Sequence, residues 1–214
     1  MAITQLFFDL DGTLVDSFPG ISFSCAAALA QVMPGRKAPD FLPFIGPPIR
    51  EIFRRALPEN DPEMLERLEQ SFRASYNSEG WRKTLAYPGV EKVLARVCQS
   101  GYVCRVLTNK PGLPSRAILQ HLELDRFFRE VITPDMQTPA FASKADAARD
   151  AQRRHGLAGG QALVVGDSDD DGAAAAACGF QFAAVMFGYG RAYEKCDSQV
   201  HFRLEQFDHL LDIL

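Results

Sequence analysis

The stretch that most restricts this chain lies near its amino end. Gln5 to Leu10 (QLFFDL) is a short apolar run that ends in carboxylates and a glycine, the pattern of a buried strand entering a tight turn. Runs of the same kind recur at Tyr102 to Leu107, Glu130 to Thr133, Ala162 to Val165 and Gln181 to Met186. Helical patterns lie between them. Val90, Val93, Leu94 and Val97 recur at helical spacing before the second run, and Ala173 to Ala177 favours helix after the fourth. Alternating strands and helices predict an α/β fold, an open parallel sheet covered on both faces.

One region breaks the alternation. Residues 17–85 hold no convincing strand but three amphipathic helical patterns in a row: Ile21, Cys25, Leu29 and Val32; Ile49, Phe53 and Leu57; Leu65, Leu68, Phe72 and Tyr76. Pro34 to Pro48 contains five prolines, which forbid a continuous helix there, and Tyr87-Pro88-Gly89 marks the return to the sheet. The expected organisation is a core of residues 1–16 and 86–214 with a helical insertion of residues 17–85. Trp81, near the return, is expected to pack in a core.

Composition narrows the function classes. At 214 residues, 47% hydrophobic and 23% charged, the chain suits one full-sized core and a small accessory unit. A formal net charge of -4 argues against a nucleic-acid binder, which needs a basic stripe to neutralise phosphates. No run approaches the roughly 18 apolar residues of a membrane span. Met1 to Gln5 lacks the basic start of a signal peptide, so a cytoplasmic location is expected. The cysteines (Cys25, Cys98, Cys104, Cys178, Cys196) are odd in number and lack metal-like spacing, which reads as idle thiols in a reducing compartment. The four histidines, His121, His155, His201 and His209, likewise show no metal spacing.

The chemistry concentrates in Asp9-Leu10-Asp11-Gly12-Thr13. Side chains two residues apart at a strand end point the same way, and in open parallel sheets ligands collect at the carboxyl ends of strands. An isolated Asp-Gly pair would usually be a solvated turn. Here two neighbouring carboxylates would share a crevice and repel, which favours one ionised group beside one that holds a proton.

DLDGTLVDS resembles the first motif of the haloacid dehalogenase superfamily. In that resemblance Arg105 to Lys110 (RVLTNK) matches the second motif, a strand ending in a threonine that bonds a phosphoryl oxygen, here Thr108. Ser143-Lys144-Ala145-Asp146 matches the third, a lysine at the first turn of a helix with a serine cap, although relatives commonly follow that lysine with proline. Lys110 is the competing lysine. Leu163-Val164-Val165 followed by Gly166 to Asp171 (GDSDDD) resembles the fourth motif. Residues 167–172 also open like an EF-hand calcium loop, but Cys178 stands where that loop needs its bidentate glutamate.

The resemblance implies a Rossmann-like core with a helical cap, close to phosphoglycolate phosphatases. It implies a magnesium ion held by Asp9, the Asp11 main-chain carbonyl and Asp167, with Asp171 supporting from behind, while Asp169 and Asp170 have no assigned use. Asp9 would be the nucleophile and Asp11 the acid and base. Lys144 would balance charge, and Gly12, Thr108 and Asn109 would hold phosphate. Arg50, in the FIGPPIR segment, is either a contact for an anionic group of the substrate or part of a wet helix face with Arg54 and Arg55. The expected function is a phosphatase acting on a small phosphorylated metabolite, as monomer or homodimer. A β-phosphoglucomutase-like phosphotransferase and a non-catalytic binding protein on the same fold are the alternatives.

Overall fold

The computed structural model describes residues 2–59, 61–190 and 199–214. Cys196 lies outside the described residues. The chain divides into two compact units, Met1–Val15 with Ala86–Leu214, and Asp16–Leu85.

Its strands in chain order are β1 (Gln5–Phe8), β2 (Val15–Asp16), β3 (Leu85–Ala86), β4 (Val103–Leu107), β5 (Glu130–Ile132), β6 (Ala162–Gly166), β7 (Gln181–Val185) and β8 (Phe202–Leu204). Six of them form a parallel sheet in the order β5-β4-β1-β6-β7-β8. The short β2 and β3 pair with each other where the chain passes between the units. Strand β1 is central, and the order reverses beside it: β4 and β5 continue on one side, and β6, β7 and β8 on the other. Crevices for ligands open at such a switch point. Phe8 pairs in register with Val106 of β4 and Val165 of β6, so β1, β4 and β6 end within one residue of one another.

Helices cover both faces. In the first unit these are α4 (Val90–Gln99), α5 (Gly112–His121), α6 (Lys144–His155) and α7 (Asp169–Cys178). Successive strand residues face opposite sides, so Phe7 and Phe8, both buried, anchor different cores. Phe7 lies over Ala147, Ala148 and Ala151 of α6 and Ala174 and Ala175 of α7, and stacks on Phe180 at 5.7 Å between ring centroids. The alanines allow α6 and α7 to approach closely, because no large side chain separates them. Phe8 meets Phe128 and Phe207, each at 6.1 Å, on the other face.

In the second unit α1 (Phe18–Val32), α2 (Ile49–Ala56) and α3 (Pro62–Ser78) bury the apolar stripes read from the sequence around Phe53, Leu68 and Phe72. Asp61 caps α3 by accepting from the Met64 N–H at 2.8 Å, and Pro62 suits the first turn, where its missing N–H leaves no gap. Trp81 packs half-buried against this core. Strand β8 has no counterpart among the expected runs. HFRL is short and carries an exposed arginine, and an edge strand needs no continuous apolar pattern. Among the described residues, no helix is long and apolar enough to cross a membrane.

Leu68 is fully buried in the helical unit. Truncation in Leu68→Ala should lower the unfolding free energy by about 2–5 kcal/mol, as measured by urea denaturation.

Candidate active site

Asp9 is the first residue after β1, Thr108 the first after β4 and Asp167 the first after β6. Three adjacent strands ending in register therefore deliver these side chains to one edge of the sheet. The Asp9 N–H donates to the Val165 carbonyl at 2.9 Å, which extends the ladder to the carboxylate itself. Lys144 opens α6, where Ser143 Oγ accepts from the Asp146 N–H at 3.1 Å and caps the helix. Lys144 as a residue is only 5% exposed, and its ammonium donates to Asp9 Oδ1 at 2.8 Å and Asp171 Oδ1 at 2.7 Å. The other oxygen of Asp171 accepts from the Ser168 N–H at 3.0 Å and Ser168 Oγ at 2.6 Å, closing the first turn of α7. Gly166 has to be small here, since a Cβ would run into the Asp171 carboxylate.

Asp167 is held differently. Its Oδ2 accepts from the backbone N–H groups of Tyr189 at 2.6 Å and Gly190 at 2.8 Å. One carboxylate oxygen each from Asp9, Asp167 and Asp171 lies within 4.8 Å of the others. Three clustered buried carboxylates are thus accompanied by one buried ammonium, a negative excess in a low-dielectric setting. Burial pushes Asp9 up to about 8; Lys144 opposes the rise, and Asp171 and Asp167 add to it. Burial and Asp171 push Asp167 up to about 7, against the Gly190 amide, Lys144 and the Tyr189 amide. Burial by itself would depress Lys144, but Asp171 and Asp9 hold it above its ordinary value. An all-oxygen donor set with surplus negative charge fits a small hard divalent cation such as magnesium. Asp9 and Asp167 suit the ligand role. Asp171 already serves Lys144 and Ser168 with both oxygens.

The two candidate lysines take different partners. Lys110 donates to both carboxylate oxygens of Asp11, at 2.9 and 2.8 Å, while Lys144 engages Asp9. Thr108 is buried, and its Oγ1 accepts from the Lys110 N–H at 3.1 Å. Asn109 donates to Asp170 Oδ2 at 2.8 Å, so Asp170 joins the start of α7 to the loop after β4. Gly12 has φ +83°, and a Cβ there would collide with the Asp167 carboxylate. The turn after β1 therefore needs glycine both for its torsion and for its closeness to β6. Helix α7 begins at Asp169, the third place of the calcium-loop reading, and leaves no loop to wrap an ion. Arg50 lies in the second unit, where it donates to the Pro62 carbonyl at 3.1 Å and faces Glu69 at 3.9 Å. Arg54 and Arg55 both pair with Glu51. The clamping amides of Tyr189 and Gly190 escaped the sequence reading. Every residue but proline has an N–H, and only the Gly188 and Gly190 pair hints at a close approach.

A family model described as haloacid dehalogenase-like hydrolase matches residues 6–185. The chain is 31% identical over 223 residues to the phosphoglycolate phosphatase of Aliivibrio fischeri, an alignment that covers 99% of this chain and 96% of that protein. It is 33% identical over 189 residues to the tyrosine-protein kinase PtkA of Mycobacterium tuberculosis, covering 86% of this chain and 62% of that one. Among solved structures, a haloacid dehalogenase-like family hydrolase from Streptococcus pneumoniae matches with a TM-score of 0.87 at 28% identity, covering 99% of this chain and 98% of the other.

The raised carboxyls set a pH dependence. A carboxyl held above its unfolded value keeps its proton longer when folded, so the folded state loses ground as pH rises through the interval between the two values. For Asp9 that interval runs from 3.8 to about 8. Thermal melts in chelator should show stability falling as pH rises across it. Asp9→Asn should flatten the slope, and magnesium should oppose the fall.

Proposed function

Because the chain belongs to the haloacid dehalogenase-like hydrolase family, we propose that it is a magnesium-dependent phosphatase that hydrolyses a small phosphate monoester of the phosphoglycolate kind through an aspartyl-phosphate on Asp9. One observation carries the reading: Asp9 is buried at the sheet's switch point, bonded to Lys144 and clustered with Asp167 and Asp171. A phosphate monoester is an anion, and an anionic nucleophile reaches its phosphorus only where charge is already neutralised.

Asp9, Asp167 and the main-chain carbonyl of Asp11 are the groups that would hold the magnesium ion, which when bound neutralises charge on the phosphoryl group. Lys144 keeps Asp9 oriented through Oδ1 and offsets negative charge as the phosphoryl group arrives. The Asp9 carboxylate attacks phosphorus, a P–O bond to Asp9 forms, and the P–O bond to the leaving alkoxide breaks. Asp11 gives that alkoxide a proton. The Asp11 carboxylate then takes a proton from the water that attacks the acyl phosphate, releasing phosphate and restoring Asp9. Lys110 bonds both Asp11 oxygens in the resting site, so proton delivery requires this contact to loosen. The Thr108 hydroxyl and the turn at Gly12 are assigned to the phosphoryl oxygens, with Asn109 bracing the loop beside them.

The helical insertion of residues 17–85 is assigned as the cap that selects the substrate, with Arg50 as its contact for a second anionic group. Support comes from its being a separate compact helical unit and from the phosphoglycolate phosphatase relatives.

The wild-type protein should release phosphate from 2-phosphoglycolate within a panel of small phosphate monoesters only when magnesium is present. Asp11→Asn should lower kcat by roughly 10²- to 10⁴-fold. Asp9→Asn should abolish both turnover and the acid-stable label left on the protein by radioactive substrate. Phosphate release that survives in Asp9→Asn would overturn the nucleophile, and isomer without free phosphate from a hexose phosphate would move the assignment to phosphotransfer.

A further inference from the structure

We infer that the Gly188-Tyr189-Gly190 segment after β7 is a positioning clamp for Asp167, whose backbone N–H groups saturate one carboxylate oxygen and leave the other as the single donor to a divalent cation. The inference rests on the magnesium reading above and assigns it residues from a strand that contributes no ligand.

Three observations converge on it. Tyr189 and Gly190 both donate to Oδ2 of Asp167, at 2.6 and 2.8 Å. An sp² carboxylate oxygen has two lone pairs in its plane, so two N–H donors use them both, and bonds this short to an ionised acceptor are strong. The carboxylate can then neither rotate to offer Oδ2 nor chelate with both oxygens.

The glycines supply the room. A Cβ on Gly188 would run into the Asp167 side chain and the Gly12 carbonyl. One on Gly190 would stand 2.7 Å from both the Asp167 carbonyl oxygen and Ser168 Cα. Neither glycine has a left-handed φ, so space and not torsion demands the missing side chain. The same segment also braces the nucleophile's turn: Tyr189 Cδ2 lies 3.1 Å from where a Gly12 Cβ would sit, and that Cβ would itself strike Asp167. The turn after β1, the end of β6 and the segment after β7 are thus packed closely around the Asp167 carboxylate, with the Tyr189 ring against the Gly12 turn. Partners that orient a ligating carboxylate typically change metal affinity 10- to 100-fold when removed.

Four proteins separate the possibilities: the wild type, Gly188→Ala, Gly190→Ala, and a protein in which the Tyr189 N–H is replaced by an ester oxygen through its α-hydroxy acid analogue. Magnesium binding to the metal-free proteins is measured by titration calorimetry, and their folding by circular dichroism and thermal melting without metal. The clamp predicts about 10- to 100-fold weaker magnesium binding in Gly188→Ala, in Gly190→Ala and in the ester protein. It also predicts a matching rise in the magnesium concentration for half-maximal activity and an unchanged KM at saturating magnesium. If an alanine variant does not fold, the ester protein decides, because it removes one N–H and no packing. Wild-type magnesium affinity in a folded ester protein overturns the clamp and leaves the magnesium reading intact. Absence of magnesium binding by the wild type overturns that reading, and the clamp with it.

Discussion

The ammonium of Lys144, buried between Asp9 and Asp171, joins the end of β1, the start of α6 and the first turn of α7. Removing these groups from water is expensive unless each finds a partner, and a buried carboxylate left alone would simply take up a proton. The lysine prevents that for one negative charge, yet three carboxylates share the space. What remains is a site short of positive charge, in which Asp9 and Asp167 are held well above the usual carboxylate range. A protein selected only for stability would have apolar residues here. A surplus of buried negative charge of this kind is what a bound cation would relieve.

Close backbone approach is the second constraint, and it explains the glycines better than turn geometry alone. Gly12, Gly166, Gly188 and Gly190 all sit where a methyl group would strike an aspartate or the backbone beside it. They come from three different segments, after β1, at the end of β6 and after β7. The carboxylates are therefore set by main-chain positions that a parallel sheet already holds in register, which leaves few soft torsions between the scaffold and the carboxylate oxygens. The same economy appears in α6 and α7, whose alanines bring the lysine-bearing and aspartate-bearing helix starts close enough for the ion pair to form.

Much of this was legible in the chain. Short apolar runs separated by helical patterns are local signals, and β1, β4, β5, β6 and β7 appear where those runs lie. Ser143 is a cap residue read from its three-residue spacing to Asp146, and it acts so in the structure. Strand β8 was not legible, because an edge strand with a charged face resembles a loop. Asp170 had no assigned use until its bond to Asn109 appeared, since that contact joins residues far apart in the chain.

By itself the sequence determined the strand ends that carry acids, the glycine turn, the helical insertion and the family, because strand period, turn torsion and helix capping act over a handful of neighbouring residues. Only the tertiary structure decided that Lys144 meets Asp9 while Lys110 meets Asp11, and that two amides beyond β7 grip Asp167. Two lysines look alike along a chain, and every non-proline residue offers the same N–H. Which of them reaches a given carboxylate is set by how distant strands align, and no local pattern encodes that alignment.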